Sequence, residues 1–361
     1  MQIEKAQIAP QSPCQNRFAE RVIGSIRIEC VKELFFFVAV VVLATFIISP
    51  YDCRGEDIAG WPQEVKEIKY ISSADSTSQP ALFYAPKTTE KAAPLLVALH
   101  TWSGSYTQKM SVPYAKWCIE KGWVFIHPNF RGPNKNKQAT GSELVVADII
   151  SAADYAKDAA NVDPNRIYLV GASGGGYTSL LMAGKAPHIW AGVSAWVPIT
   201  DLRAWYFECK KAGRRYADDI VKSCGGAPDT SAAVDLEYEK RSPITYLHKA
   251  ANLLLDINAG VKDGHTGSVP ISHTLRAFNL VALENDRICE EDIKYFVEKA
   301  QVPPHLKKEL ADPTYGEKLP LFRRNSGKAR ITIFDGGHEI IYEAALSWLA
   351  KQEKQQGAEV R

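Results

Sequence analysis

Short apolar segments alternate with amphipathic segments along the chain after about residue 56. Apolar runs of strand length lie at 65–71, 81–84, 95–99, 124–126, 166–170, 191–197, 253–258 and 331–334. Helical periodicity covers 114–121, 143–160, the segment just after residue 173, 268–283, 290–300 and 339–355. Strands that alternate with helices build βαβ units. The pattern therefore predicts an α/β class, with a mostly parallel central sheet flanked by helices and opened by an antiparallel pair.

Two segments break this alternation. Residues 201–250 are charged, aromatic and irregular, and we interpret them as a cap-like insertion over one end of the sheet. Residues 284–328 form a second insertion that is rich in proline and lysine. We therefore expect an N-terminal extension at 1–55, followed by one α/β domain at 56–361 that carries both insertions.

The N-terminal extension contains one continuous apolar segment. Residues 34–49 are sixteen residues without a charge, and they follow the basic residues Arg17, Arg21, Arg27 and Lys32. Sixteen helical residues span roughly 24 Å, which is less than the hydrocarbon core of about 30 Å. A basic start, an apolar segment and a polar exit are typical of a secretory signal, and they predict a periplasmic or extracellular protein. An uncleaved membrane anchor at the same residues is the alternative.

Export would permit disulfide bonds. Cys209 and Cys224 flank a polar, loop-like part of the first insertion, and a bridge between them could close it. Cys118 lies in a helical segment and is expected to be a buried thiol.

Composition and charge limit the kinds of partner and cofactor that we expect. The chain has 43 Lys and Arg against 41 Asp and Glu, a net charge of +2, so no basic excess favours nucleic acid. The seven cysteines form no C-x-x-C pair, and no zinc motif follows from their spacing. We expect no metal ion, no cofactor and no nucleic-acid partner.

The strongest chemical signal is a G-x-S-x-G pattern at Gly171-Ala172-Ser173-Gly174-Gly175. It lies between a predicted strand and a predicted helix, where a nucleophilic serine sits on a strained turn that admits only small neighbours. The helix N-terminus directs free N–H groups at the site, and the Gly174 N–H is one natural oxyanion donor. A phosphate-binding loop is disfavoured because no G-K-[ST] follows.

A serine hydroxyl needs a base, and the base needs an acid to orient it. Of eight histidines, His338 follows the last predicted strand, where the chain order serine, acid, histidine places the base. Asp263 lies in the loop after the penultimate strand and is the preferred acid. Asp256 lies inside that strand and is expected to be structural, while Glu284 and Asp286 remain as reserve acids.

The second oxyanion donor is expected in the loop after the strand at 95–99. A backbone N–H of Thr101 or Trp102 is the natural donor, and the Tyr106 hydroxyl is a less direct substitute. His100 is expected to shape this loop, and His127 to be structural.

Four side chains are candidates for substrate contact. Trp102 and Tyr106 come from the oxyanion loop, Trp205 from the first insertion, and His265 from the loop next to the acid. For the aromatic insertion, packing on the sheet edge is the competing interpretation.

Several motifs together resemble the catalytic domain of the prolyl oligopeptidase family, within the α/β-hydrolase superfamily. The resemblance covers roughly residues 80–350. The matching segments are Asn129-Phe130-Arg131-Gly132, Asp148-Ile149, Asp163-Pro164-Asn165-Arg166-Ile167, Gly171 to Tyr177, Pro198-Ile199-Thr200-Asp201, the G-x-x-D…V-P loop at 260–270 and the Gly-Gly-His at 336–338. The resemblance implies the α/β-hydrolase fold, a Ser173–Asp263–His338 triad and an acyl-enzyme mechanism.

The chain departs from the family in three ways. The family's peptidases usually carry a β-propeller before the catalytic domain, and the stretch before the first core strand is too short for one. The loop at His100 lacks a His-Gly-Gly-Pro sequence, and the segment between Asp263 and His338 is long. We therefore expect a secreted serine hydrolase that cleaves a peptide or ester bond. The alternative is a carboxylesterase for acylated carbohydrates or small esters, and a remote alternative is an inactive, hydrolase-like binding protein.

Overall fold

The computed structural model describes residues 58–87, 91–308 and 310–354, all of which belong to one compact unit. These residues contain nine strands in a single sheet. The strands are β1 (Lys66–Ile71), β2 (Ser78–Tyr84), β3 (Ala93–Leu99), β4 (Val124–Pro128), β5 (Val162–Ala172), β6 (Gly192–Trp196), β7 (Leu255–Gly260), β8 (Pro320–Ser326) and β9 (Ala329–Phe334). The helices are α1 (Val112–Lys121), α2 (Glu143–Ala159), α3 (Gly174–Lys185), α4 (Leu202–Lys211), α5 (Tyr216–Cys224), α6 (Ala232–Arg241), α7 (Ser272–Val281), α8 (Glu290–Lys299) and α9 (Tyr342–Leu349).

The sheet has the strand order β1-β2-β4-β3-β5-β6-β7-β9-β8. Six strands pair in parallel with their neighbours, in the order β4-β3-β5-β6-β7-β9. The antiparallel pairs lie at the two edges of the sheet. All seven residues of β3 are buried, as expected where helices cover both faces of a parallel sheet. The predicted α/β class, the mostly parallel sheet and the opening antiparallel pair are confirmed.

The first insertion is more regular than the sequence pattern indicated. Instead of irregular chain, residues 202–241 form three helices, α4, α5 and α6. The Asp201 carboxylate accepts the N–H groups of Arg203 and Ala204, and so caps the first of these helices. Because these helices are short and carry many charged residues, the spacing of their apolar residues did not predict them. Their buried side chains form a separate hydrophobic cluster that includes Trp205, Ile220 and Tyr238.

The second insertion contributes a strand that the sequence did not reveal. Strand β8 reads PLFRRNS and pairs with β9 at the edge of the sheet. Pro320, Phe322 and Ser326 are its buried residues, and the polar residues between them obscured the strand pattern. Helix α9 is also shorter than the predicted segment 339–355, beginning at Tyr342 and ending at Leu349.

A buried ion pair gives the Asn-Phe-Arg-Gly motif its structural role. The guanidinium of Arg131 donates to both carboxylate oxygens of Asp148 on α2, at 2.7 and 3.0 Å. Arg131 has a φ of 74°, so the chain turns sharply after β4. The pair therefore joins this turn to α2, and the turn leads into the loop at 133–142.

The structure does not contain the disulfide bond that was considered for the first insertion. Cys209 and Cys224 are both free, buried thiols, and burial raises the pKa of each to about 12. The disulfide considered between them is therefore absent from the structure.

The apolar segment 34–49 lies outside the described residues. Within the described part of the chain, no helix combines the length and the apolar character that a membrane crossing requires.

Candidate active site

Ser173 lies on a strained turn between β5, which ends at Ala172, and α3, which begins at Gly174. Its φ is 56° and its ψ is −118°, a combination that costs a non-glycine residue energy. The turn closes because its flanking glycines touch. A Cβ built at Gly171 would lie 2.4 Å from the backbone carbonyl carbon of Gly175. The turn thus presents the Ser173 side chain at the carboxyl end of a central strand.

Three distant parts of the chain meet at this turn. The Ser173 Oγ lies 2.8 Å from Nε2 of His338, which follows β9. The Nδ1 of His338 lies 2.9 and 3.0 Å from the two carboxylate oxygens of Asp263, which follows β7. The structure therefore brings together all three residues that the sequence singled out as nucleophile, base and acid.

The hydrogen bonds of Asp263 define the state of the imidazole. The carboxylate is 2% exposed and also accepts the Gly264 N–H at 2.9 Å. A carboxylate opposite Nδ1 favours the tautomer with the proton on that nitrogen. The Nε2 lone pair is then free to accept the Ser173 hydroxyl proton, which is the arrangement that general-base catalysis requires.

Two glycines allow the acid and the histidine to approach: Gly260, which opens the G-x-x-D motif, and Gly267, to which the sequence had given no role. A Cβ on Gly267 would lie 2.3 Å from Asp263 Oδ1 and 2.3 Å from His338 Cβ. A Cβ on Gly260 would lie 2.3 Å from the carbonyl carbon of Gly336. Both glycines lie within a few residues of Asp263 in the sequence, and this proximity is the signal that could have identified their role.

The loop that follows β3 also touches the turn at Ser173. A Cβ on Gly174 would lie 2.2 Å from the backbone nitrogen of Trp102. The Thr101 N–H already donates to Gln108 Oε1 at 3.1 Å, so of the two candidates only the Trp102 N–H remains available. The Trp102 carbonyl accepts the Asn134 N–H at 2.8 Å, which holds this peptide unit in place.

The side chain of Trp102 is packed against the first insertion. It is 3% exposed, and its ring centroid lies 4.7 Å from Trp205, 5.8 Å from Tyr177 and 6.5 Å from Tyr216. Trp205 is itself 1% exposed, and its indole N–H donates to the Ser268 carbonyl at 3.0 Å. The packing interpretation of the aromatic insertion therefore describes Trp205, which joins the insertion to the loop that carries Asp263.

Two of the candidate substrate contacts are directed elsewhere. The Tyr106 hydroxyl donates to Glu67 on β1 at 3.0 Å, so it is not free to serve as an oxyanion donor. His265 Nε2 lies 2.7 Å from the Val297 carbonyl on α8. Substrate contact by these two side chains stays a prediction, because a loop position does not determine the direction of a side chain.

Two of the three alternative acids, Asp256 and Asp286, have structural partners. The Asp256 carboxylate binds Arg330 at 2.8 Å and Ser194 at 2.9 Å, and Asp286 accepts the Ser326 hydroxyl at 2.7 Å. Glu284 lies with Asp286 in a single 3-10 turn.

His100 and His127 are both fully buried. The ring of His100 lies between the carbonyls of Thr101 and Asn129, at 2.9 and 2.8 Å, and so holds the start of the loop that follows β3. Burial lowers the pKa of His127 to about 3, so this ring is neutral. In the described residues, no group of three or more His, Cys, Asp or Glu side chains could hold a metal ion.

Comparison with known proteins decides the family. The model of the prolyl oligopeptidase family matches residues 109–289, half of the chain. This chain belongs to the prolyl oligopeptidase family. The matched segment contains Ser173 and Asp263, and His338 lies beyond its end.

Solved structures agree with the prolyl oligopeptidase family in fold. Puromycin hydrolase superposes with a TM-score of 0.54 at 15% identity, over 79% of this chain and 37% of that one. Pyrococcus horikoshii acylaminoacyl peptidase gives 0.53 at 15% identity, over 81% and 42%. A Mycobacterium tuberculosis puromycin-hydrolyzing peptidase gives 0.52 at 15% identity, over 79% and 38%.

These superpositions confirm the α/β-hydrolase fold. The chain spans less than half the length of each of these three structures. No curated protein matches it.

Proposed function

We propose that this family member is a serine hydrolase that cleaves a peptide or ester bond through an acyl-enzyme on Ser173. The observation that carries the proposal is the continuous hydrogen-bonded chain from Ser173 Oγ through His338 to Asp263. The strained turn, the buried carboxylate and the available N–H of Trp102 support it.

In the first half-reaction, Ser173 Oγ forms a bond to the substrate carbonyl carbon, while its proton passes to His338 Nε2. Asp263 stabilises the imidazolium and holds its orientation. The negative charge on the carbonyl oxygen is stabilised by the backbone N–H groups of Gly174 and Trp102. His338 then gives the proton to the leaving atom, and the bond between carbonyl carbon and leaving atom breaks.

In the second half-reaction, water attacks the Ser173 ester and gives a proton to His338 Nε2. The same two N–H groups stabilise the second tetrahedral oxyanion. Collapse of this intermediate releases the acid and returns the proton to Ser173. The cycle consumes one water and leaves the enzyme unchanged.

A carboxylesterase for short acyl groups is the second candidate. The packing around Trp102 favours it, since Trp205 and Tyr177 cover a ring whose own backbone carries the proposed oxyanion donor. We infer that these packed aromatic rings leave little room for a bulky acyl group beside the proposed oxyanion donor. A series of p-nitrophenyl esters from acetyl to octanoyl tests it. Preference for acetyl, relaxed in Trp102→Ala, supports a small acyl site, since alanine keeps the backbone N–H. Together with no turnover of a matched p-nitroanilide, it supports the esterase.

The main test compares matched p-nitrophenyl ester and proline p-nitroanilide substrates, with Ser173→Ala as the blank. Loss of the nucleophile should lower kcat by at least about 10³-fold. Labelling of Ser173 by a fluorophosphonate, read as an intact-mass increase, identifies the nucleophile directly. Turnover that survives in Ser173→Ala would show that the nucleophile assignment is wrong.

Export belongs to the same proposal. It rests on the uncharged apolar segment 34–49 and the basic residues before it. Fractionation of producing cells, with N-terminal sequencing of the product, tests this. A mature N-terminus beyond residue 49 supports a cleaved signal, and an intact N-terminus in the membrane fraction supports the anchor.

A further inference from the structure

A second hydroxyl lies at the reacting nitrogen of His338. The Ser268 Oγ is 3.4 Å from His338 Nε2, the same atom that lies 2.8 Å from Ser173 Oγ. Ser268 stands five residues after Asp263 on the loop that follows β7. It plays no part in the serine, histidine and aspartate chemistry described so far.

The position of Ser268 is set by its neighbours on both sides. Its carbonyl accepts the Trp205 indole N–H at 3.0 Å, and the next residue, Val269, is 1% exposed within the cluster of the first insertion. The preceding residue, Gly267, packs so closely on Asp263 and His338 that a Cβ would overlap both. The loop therefore has little freedom to withdraw Ser268 from His338.

The protonation state of His338 decides what a second hydroxyl can do. With a proton on Nδ1, the neutral ring offers one lone pair at Nε2, and the closer Ser173 hydroxyl uses it. Once the ring has taken the Ser173 proton, Nε2 carries an N–H instead. One N–H can be shared between two acceptors, and bonds to a charged donor are stronger than bonds between neutral groups. Ser268 therefore gains most when the ring is charged.

We propose that Ser268 is a further catalytic residue, whose hydroxyl oxygen accepts the Nε2–H of the His338 imidazolium. This inference rests on the proposed serine hydrolase mechanism. The proton on Nε2 comes from Ser173 in the first half-reaction and from water in the second, and it leaves to the leaving atom or back to Ser173. Ser268 keeps its own proton throughout and forms no covalent bond.

The charged groups near the ring do not duplicate this role. Asp263 binds the opposite nitrogen, Nδ1. On the loop that carries His338, Asp335 pairs with Lys262 and Glu339 pairs with Lys318. Among the described residues, the two oxygen atoms within hydrogen-bond distance of Nε2 are the Oγ atoms of Ser173 and Ser268.

The test measures pH profiles of Ser268 variants with a p-nitrophenyl ester. Ser268→Ala should lower kcat about 5-fold with KM nearly unchanged, because the lost acceptor serves the charged ring and not the bound substrate. The acidic limb of kcat/KM should move to lower pH by about half a unit, because the protonated ring loses one acceptor. Thr266→Ala is the matched control, since it removes an exposed hydroxyl from the same loop.

A second pair of variants separates chemistry from packing. Ser268→Thr and Ser268→Val have the same shape and differ in the hydroxyl, so threonine should keep the wild-type acidic limb and valine should not. Equal profiles for threonine, valine and wild type would overturn the inference. That result leaves the nucleophile in place if Ser173→Ala is inactive, whereas activity in Ser173→Ala would overturn the proposed function itself.

Discussion

Two buried aspartates on one short stretch of chain lie in different surroundings. Asp256 lies within β7, and Asp263 follows the end of that strand. Both are at most 2% exposed and both accept several hydrogen bonds. Asp256 faces Arg330, a permanent cation, in the middle of the sheet, whereas Asp263 faces His338 at its edge. The difference teaches that burial and pairing alone do not identify a catalytic carboxylate. What distinguishes Asp263 is that its partner, His338, is also hydrogen-bonded to Ser173.

The largest expected effect comes from Asp263→Asn. The amide keeps the shape but not the charge, so the imidazolium loses its stabilisation and the ring can adopt the wrong tautomer. We expect kcat to fall about 10⁴-fold. Ester hydrolysis and a thermal melt measure activity and fold together. A variant with near wild-type kcat would contradict the role given to this carboxylate.

Asp256→Asn should show the opposite behaviour. Arg330 would lose its anionic partner, with about 3 kcal/mol lost from the free energy of unfolding. Activity per folded molecule should stay within about twofold of wild type, because Asp256 touches no reacting atom. Chemical denaturation and active-site titration give the two quantities. If instead stability held and activity collapsed, the comparison between the two carboxylates would fail.

Gly267→Ala tests the close packing at the edge of the sheet. The new methyl must displace Asp263 or His338, since it would lie 2.3 Å from an atom of each. A displacement on the order of 1 Å is expected to lower kcat about 10²-fold, with a smaller effect on stability. Gly213→Ala is the control for the kinetics: a Cβ there meets nothing within 4 Å, and its φ of 64° should cost stability without displacing Asp263 or His338. Equal kinetics for the two variants would count against the packing argument.

His127 gives the smallest effect, and it acts on stability alone. Burial holds its folded-state pKa at about 3, below the ordinary histidine value of 6.5. Stability from the neutral ring is therefore complete above pH 6.5 and is lost as the pH falls toward 3. At pH 5 the loss is about 2 kcal/mol. His127→Phe should flatten this part of the curve of unfolding free energy against pH, and an unchanged slope would refute the assignment.

The parts of the fold that could be predicted are those with a local signal. The buried run at Leu95–Leu99 and the glycines around Ser173 indicate their structures within a few residues, because side-chain period and steric demand act locally. Strand β8 and the helices of the first insertion escaped prediction, since charged positions interrupt their apolar pattern. Their stability comes from pairing with β9 and from packing around Trp205.

The sequence by itself determined the chemistry that is available: a serine on a tight turn, an acid after β7 and a histidine after β9. Chain order and short-range sterics are enough for that, because parallel strands bring their carboxyl ends to one edge. Only the tertiary structure decided where the remaining side chains point. It turned Tyr106 toward Glu67 and His265 toward Val297, and it brought Ser268 to His338. These directions depend on contacts between residues far apart in the chain, which no local pattern records.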